Sequence, residues 1–275
     1  VNYSTLEFEC RDGVGWLTLN RPDRLNALSF EMVQELRRFF GSLEERLEAR
    51  VVIVRGAGRA FCAGMDLSAL TGGTASVDQE SNMPKGPITF GHMIERALND
   101  IVIRMRQAPQ PLIAAIRGAA SGGGFTLAMA CDMRLAAESA RFKATNIRIG
   151  YTGADLGSSY FLPRLIGLSR AAEYMYTGRT MDATTAERIG FVSRSVPDDQ
   201  LDQVALDLAK EMLNATPLAL RMTKELLNIN VDAPSLMAAT KLEAGDMLLC
   251  GMTEDTQEAI TAAYFEKRAP VYHDR

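Results

Sequence analysis

The sequence predicts an α/β fold whose last quarter is helical. Two short apolar runs, "VVIVRG" at 51–56 and "PLIAAIRG" at 111–118, each stop at a glycine. Strands buried on both faces of a parallel sheet read this way. Around them, apolar residues recur at spacings of three and four, the period of an amphipathic helix. From about Asp199 to Phe265 nearly every stretch suits a helix, punctuated by Pro217 and Pro234. Alternation of strand, helix and strand implies stacked β-β-α or β-α-β units.

In chain order, "VGWLTLN" (14–20) alternates and is rich in β-formers, which predicts a strand. "RPDRLNALS" breaks the pattern, and Ser29 is placed to cap a helix carrying Val33, Leu36, Phe40, Leu43 and Leu47 on one stripe. The strand at 51–56 follows. Residues 68–90 are polar, contain Gly and Pro, and lack period, so they read as a mobile loop or a lid over a pocket. Ile94, Leu98, Ile101 and Met105 mark a second helix, and 111–118 a further strand. "MRLAA", "ARFKA" and "FVSRSV" are shorter strands with helices between them. The chain divides into an α/β core at 1–198 and a helical region at 199–275, with no internal repeat.

Composition narrows the function. The 275 residues are 47% apolar, enough for a sizeable core. Lys and Arg total 30 against 34 Asp and Glu, a net charge of −4 with the signs interspersed, unlike a nucleic-acid binder. No apolar run reaches the roughly 18 residues of a membrane helix, and "VNYSTLEFECRDG" does not resemble a signal peptide, so a cytoplasmic protein is expected. Cys10, Cys62, Cys131 and Cys250 are widely spaced and read as reduced core thiols. The only histidines are His92 and His273, which argues against a metal site or a histidine-based triad.

Two segments share one design of strand, glycine-bearing turn and helix start: "VVIVRGAGRAFCAGMDL" (51–67) and "PLIAAIRGAASGGGFTLAMA" (111–130). Small residues there let backbone N–H groups approach a ligand, and a helix N-terminus adds partial positive charge. Two such donors on one oxygen would make an oxyanion hole, in which removal of a single donor costs about 3–4 kcal/mol of barrier lowering. The same glycines also suit tight strand–helix packing, and spacing leaves both uses open. "GAGRAF" (56–61) imitates a dinucleotide fingerprint, but Phe61 takes the third glycine's place. "AASGG" (119–123) imitates a nucleophile elbow around Ser121, without a well-placed histidine.

"AFCAGMDLSAL" (60–70) and "PLIAAIRGAASGGGFTLAMACDMRLAAESARF" (111–142) resemble the crotonase, or enoyl-CoA hydratase/isomerase, superfamily. So do "LTLNRPDRLNALS" (17–29), 162–197, 216–227 and 262–272, so the resemblance runs nearly end to end. It implies a crotonase-type β-β-α spiral core with a helical C-terminal trimerisation region, and a homotrimer or hexamer. It implies an acyl-CoA substrate whose thioester carbonyl lies between the N–H groups of Met65 and Gly123. Coenzyme A contacts are implied for Arg24, Leu25 and Ala27, for Ala63, Asp66, Leu67 and Ser68, and for Lys267. No cofactor beyond the substrate's own coenzyme A is implied.

The chain departs from the hydratases where they place two glutamates, for it has Thr126 and Asn146 there. Neither exchanges a proton near pH 7, so two-carboxylate hydration is not available. Asp155, in "IGYTGADLGSSYFLPR", resembles the proton-shuttling aspartate of dienoyl-CoA isomerases once one extra residue is allowed nearby. It also suits a helix N-cap. Glu95 is a second candidate proton carrier, and Tyr151 a phenol that suits core packing. The expected activity is isomerisation or hydration of an unsaturated acyl-CoA. A thioester or C–C hydrolase, or an acyl-CoA-binding protein without turnover, are the alternatives.

Overall fold

A computed structural model describes residues 2–66 and 87–274. The large sheet has six strands, β1 (Leu6–Arg11), β2 (Val14–Leu19), β3 (Val51–Gly56), β4 (Leu112–Ile116), β6 (Met133–Ala137) and β9 (Arg194–Val196), in that spatial order. Only β1 and β2 are antiparallel, and every later pairing is parallel. The small sheet contains β5 (Ala119–Ser121), β7 (Arg141–Lys143) and β8 (Met181–Asp182). Consecutive strands thus enter the large sheet and then the small one, β4 then β5 and β6 then β7, before a helix returns the chain. These are the β-β-α turns implied by the sequence.

The two apolar runs are buried on both faces because each face has its own cover. Val52 and Val54 of β3, with Leu112, Ala114 and Ile116 of β4, join the main core under α1 (Phe30–Gly41) and α2 (Pro87–Gln107). Val51, Ile53, Ile113 and Ala115 point the opposite way, as a period of two requires, onto Leu201, Ala205 and Ala209. Those three belong to the helix Leu201–Met212, so the first helix of the C-terminal quarter packs on the sheet.

Ser29 caps α1, its hydroxyl accepting from Met32 N–H at 3.2 Å. The helix ends at Gly41, so Leu43 falls in a short 3-10 turn and Leu47 is exposed instead of completing the stripe. Of the stretch expected to be a loop, 68–86 lies outside the described residues, and Pro87 opens α2. Ile94, Leu98, Ile101 and Met105 are all buried on α2. Cys62 and Cys131 are core thiols, whereas Cys10 and Cys250 are only half-buried.

In chain order α3 (Gly123–Ala130), α4 (Ser158–Ile166), α5 (Leu168–Thr177) and α6 (Ala183–Arg188) precede the sheet-covering helix, α7. The chain then runs through α8 (Pro217–Asn230), α9 (Leu236–Gly251), α10 (Glu254–Ile260) and a π-helical turn at Thr261–Glu266. Along α9 no side chain is buried. No helix among the described residues is long and apolar enough to cross a membrane.

Candidate active site

The two glycine-bearing turns lie at the carboxyl ends of neighbouring parallel strands, β3 and β4, where ligands of such sheets commonly sit. They are stitched together by a parallel bridge: Cys62 N–H donates to Ala119 C=O at 2.9 Å, and Ser121 N–H donates to Cys62 C=O at 3.0 Å. Several glycines serve this close packing, since a Cβ on Gly118 or Gly124 would collide with the carbonyl of Arg59 or Cys62. Gly64 (φ +98°) and Gly122 (φ +49°) adopt backbone conformations that L side chains rarely tolerate. A Cβ built on Gly64 lies 2.8 Å from Ser121 C=O and 3.7 Å from Gly122 Cα, so the junctions touch at these two residues.

Peptide planarity then fixes two donors. Gly64 C=O accepts from Leu28 N–H at 2.8 Å, so the Met65 N–H of the same trans peptide points directly away from Leu28. Gly122 C=O accepts from Thr126 N–H at 3.1 Å, so the Gly123 N–H points out of the amino end of α3. Among the described residues, neither N–H donates to a backbone carbonyl.

Beside the Gly122 turn stand the side chains named from the sequence. Thr126 is 1% exposed, and its hydroxyl faces Asp155 C=O at 3.4 Å. Asn146 begins a 3-10 turn (Asn146–Ile149), and its Oδ1 lies 3.2 Å from the Cβ position of Gly122. The Asn146 Nδ2 donates to Asp155 Oδ2 at 2.9 Å. Phe125, Thr126, Asn146, Asp155, Ser158 and Leu162 line a cavity with room for about one water molecule.

Asp155 is not the N-cap of α4. That position is Gly157, and Asp155 joins Ser158 through its backbone, its N–H donating to Ser158 Oγ at 2.9 Å. Its carboxylate turns toward Asn146 instead. Burial pushes the Asp155 carboxyl above the usual aspartate range, with the Asn146 amide and the Leu156 N–H pulling the other way. Glu95 on α2 is also pushed up, by burial of its inner side and by the charge of Asp155, although its outer edge is exposed. Tyr151 is 67% exposed and packs in no core. The Cys62 thiol, between the two turns, is pushed up to about 12 by complete burial, which keeps it protonated and unreactive.

The implied coenzyme A residues form one group and one outlier. Leu25, Ala27, Ala63 and Asp66 are joined: Ala63 N–H donates to Leu25 C=O at 3.0 Å, and Arg21 binds both Ala27 C=O and Asp66, the latter at 2.9 Å. Arg24 is exposed beside them. Leu67 and Ser68 lie outside the described residues. Lys267 is exposed at the end of the π-helical turn, and among the described residues no hydrogen bond or ion pair ties it to the Arg24–Asp66 group. No cluster of three or more His, Cys, Asp or Glu side chains gathers as a metal site would, among the described residues.

Sequence reasoning passed over Asn26 and Leu28. Asn26 is fully buried at φ +55°, accepting from Arg21 N–H and donating to Ala57 C=O and Ala60 C=O. It thereby holds the 21–28 turn against the first glycine junction. The only sequence signal was a polar residue in a turn that breaks an alternating strand.

This fold has counterparts among known proteins. The sequence model of the enoyl-CoA hydratase/isomerase family matches residues 9–275, and the chain belongs to that family of enzymes. The Mycobacterium tuberculosis protein named "Probable enoyl-CoA hydratase EchA12" is 39% identical over 265 residues, 96% of this chain and 90% of that one. The 1,2-epoxyphenylacetyl-CoA isomerase of Escherichia coli is 33% identical over 261 residues, 94% of this chain and 95% of its own length. The crystal structure of an enoyl-CoA hydratase from Bacillus anthracis superposes with a TM-score of 0.90 at 32% identity, covering 99% of this chain and 100% of that one. The fold is accordingly the crotonase-type α/β spiral.

Proposed function

We propose that the protein isomerises an acyl group carried on coenzyme A, with Asp155 as the proton carrier. The N–H groups of Met65 and Gly123 take the thioester oxygen. The Asp155 carboxylate removes a proton from a carbon near the thioester, and the negative charge moves onto that oxygen as an enolate. The carboxylic acid so formed returns the proton to another carbon of the conjugated system. The bond pattern shifts, and no water is consumed. One observation supports this above the others: the carboxylate facing the Gly122 turn is Asp155, while Asn146 and Thr126 stand where hydration would need ionisable partners. Asn146 donates to Asp155 and so keeps it oriented. Glu95, raised by burial and then by the charge of Asp155, is a reservoir for the same proton. The coenzyme A moiety lies along Arg24, Leu25, Ala27, Ala63, Asp66, Leu67 and Ser68, with Lys267 as a further cation for it, and no other cofactor takes part.

The test is the product formed from a 3-enoyl-CoA and from a 2-enoyl-CoA in deuterated water. Isomerisation gives a thioester with the same heavy atoms and a shifted double bond. A product heavier by one water, formed at a comparable rate, would return the protein to the hydratases.

Assembly belongs to the same proposal. Within 199–275, α7 covers the sheet, which leaves α8 to α10 as the oligomerisation region. Leu227 on α8 and Leu236, Met237, Met247 and Leu248 on α9 are exposed large apolar side chains on adjoining helices, side chains of the kind that interfaces cover. A second and a third copy of this chain would cover them in a homotrimer, with a hexamer as a pair of such trimers. Sedimentation is expected to give about three or six times the 30.1 kDa chain mass. The Leu248→Glu variant is expected to give smaller species, because it places charge on that face. Unchanged sedimentation of Leu248→Glu would move the interface elsewhere.

A further inference from the structure

Leu28 touches both halves of the proposed oxyanion site. Its backbone pairs with the first junction as a short parallel bridge: Leu28 N–H donates to Gly64 C=O at 2.8 Å, and Asp66 N–H donates to Leu28 C=O at 3.1 Å. That pairing turns the Met65 N–H. Its side chain, fully buried, reaches the second junction, where Leu28 Cδ1 lies 2.9 Å from the Cβ position of Gly123. Leu156, the neighbour of Asp155, also approaches this position, its Cδ1 lying 3.5 Å from it. The residue is itself held from behind. Asn26 pins the turn through three hydrogen bonds, and Arg21 joins Ala27 C=O to the Asp66 carboxylate.

We propose that Leu28 is a positioning residue that sets the separation and aim of the Met65 and Gly123 amides. The inference rests on the reading that these amides take the thioester oxygen. A hydrogen-bond donor to a developing oxyanion acts only over a few tenths of an ångström, so whatever spaces two donors controls their joint effect. Leu28 thus bonds to one junction through its main chain and packs on the other through its side chain. Gly123 lacks a Cβ, and the Leu28 side chain fills the space that a Cβ would need, so the second junction can move toward Leu28 when that side chain is shortened.

The experiment compares the parent protein with Leu28→Ala, Leu28→Val and Leu28→Met. Each is saturated with whichever of butyryl-, octanoyl- and phenylacetyl-CoA binds tightest, labelled with ¹³C at the thioester carbonyl. Infrared difference spectra give the carbonyl stretch, and steady-state kinetics give kcat and KM separately. In the parent, two donors weaken the carbonyl and move its band to lower frequency. Leu28→Ala is expected to lose about half of that displacement and to lower kcat about tenfold or more, with KM changed less than about threefold. Leu28→Met, which conserves volume, restores most of both. Leu28→Val gives a smaller loss in the same direction and serves if Leu28→Ala does not fold. A folded Leu28→Ala or Leu28→Val with the parent's band position and kcat overturns the role of Leu28 and leaves the two amides standing. A parent band that does not move on binding overturns the amides themselves, and the role of Leu28 falls with them.

Discussion

Asp155→Asn is expected to lower turnover by about 10²–10⁴-fold, the usual share of a positioned general base, while leaving the protein at least as stable at pH 7. The first half follows from chemistry, since an amide cannot take the proton. The second follows from linkage. The Asp155 carboxyl titrates above its ordinary value of 3.8, because burial penalises the charged form more than the Asn146 amide favours it. Its contribution to stability is therefore fully present below the unfolded pKa and is lost as pH rises through the higher folded pKa. At pH 7 the ionised side chain opposes folding, and Asn removes that opposition while still accepting from Asn146 at the same distance. Urea midpoints at pH 4 and pH 7 check the sign: the variant gains relative to the parent as pH rises. The acid limb of kcat/KM in the parent is expected above the range of an ordinary aspartate, for the same reason. Parent-like turnover in the variant would remove Asp155 from the mechanism.

Lys224→Met is expected to cost about 3 kcal/mol of stability, from the loss of one partner in a buried ionic group. Lys224 on α8 lies 3.0 Å from Asp132 Oδ2, with its side chain 5% exposed, and it donates to Met105 C=O at 3.0 Å and Gln110 C=O at 2.9 Å. Met keeps the stem of the side chain and removes the charge. Both carbonyls then lose their donor, and Asp132 is left to Arg106 at 3.1 Å and Leu112 N–H at 2.8 Å. Because Met105 lies in the last turn of α2 and Gln110 just before β4, the variant loosens α8 from the core. A fall in melting temperature of about 6–10 °C at low heating rate would express this. A change within about 0.5 kcal/mol would mean that Arg106 alone satisfies Asp132.

What could be read from the sequence, and what could not, divides along range. The central strands β3 and β4 declared themselves because burial on two faces leaves an unbroken apolar run, and Ser29 and the α2 stripe follow local rules. The edge strand β1, with alternate residues uncovered, is missing from the sequence reading. The α1 stripe read from the sequence runs on to Leu47, past the helix's end, because the turn after Gly41 breaks the helix without a proline to announce it. At the site, the glycine-bearing turns pointed to a pair of backbone donors, and it was the crotonase resemblance that named Met65 and Gly123 as those donors. The competing uses of Asp155 could not be separated until Gly157, at φ +88°, was seen to occupy the cap position. Leu28, Lys224 and the field of Asp155 on Glu95 gave no signal, and Asn26 gave only that of a polar residue in a turn. Each acts across 30 to 120 positions of chain, through contacts that exist only once the turns have been brought together.

Helix α9 carries a last consequence. A stretch of 16 residues with no fully buried side chain, and only Ala239, Asp246 and Cys250 half-covered, gains little from packing on its own chain, and isolated helices of that length are marginal in water. Under the proposed homotrimer its order is a collective property, rising and falling with the amount of protein present. In the proposed trimer, dilution should loosen this segment long before it troubles the sheet, and fresh chains would have to find one another before their last quarter is safe from proteases.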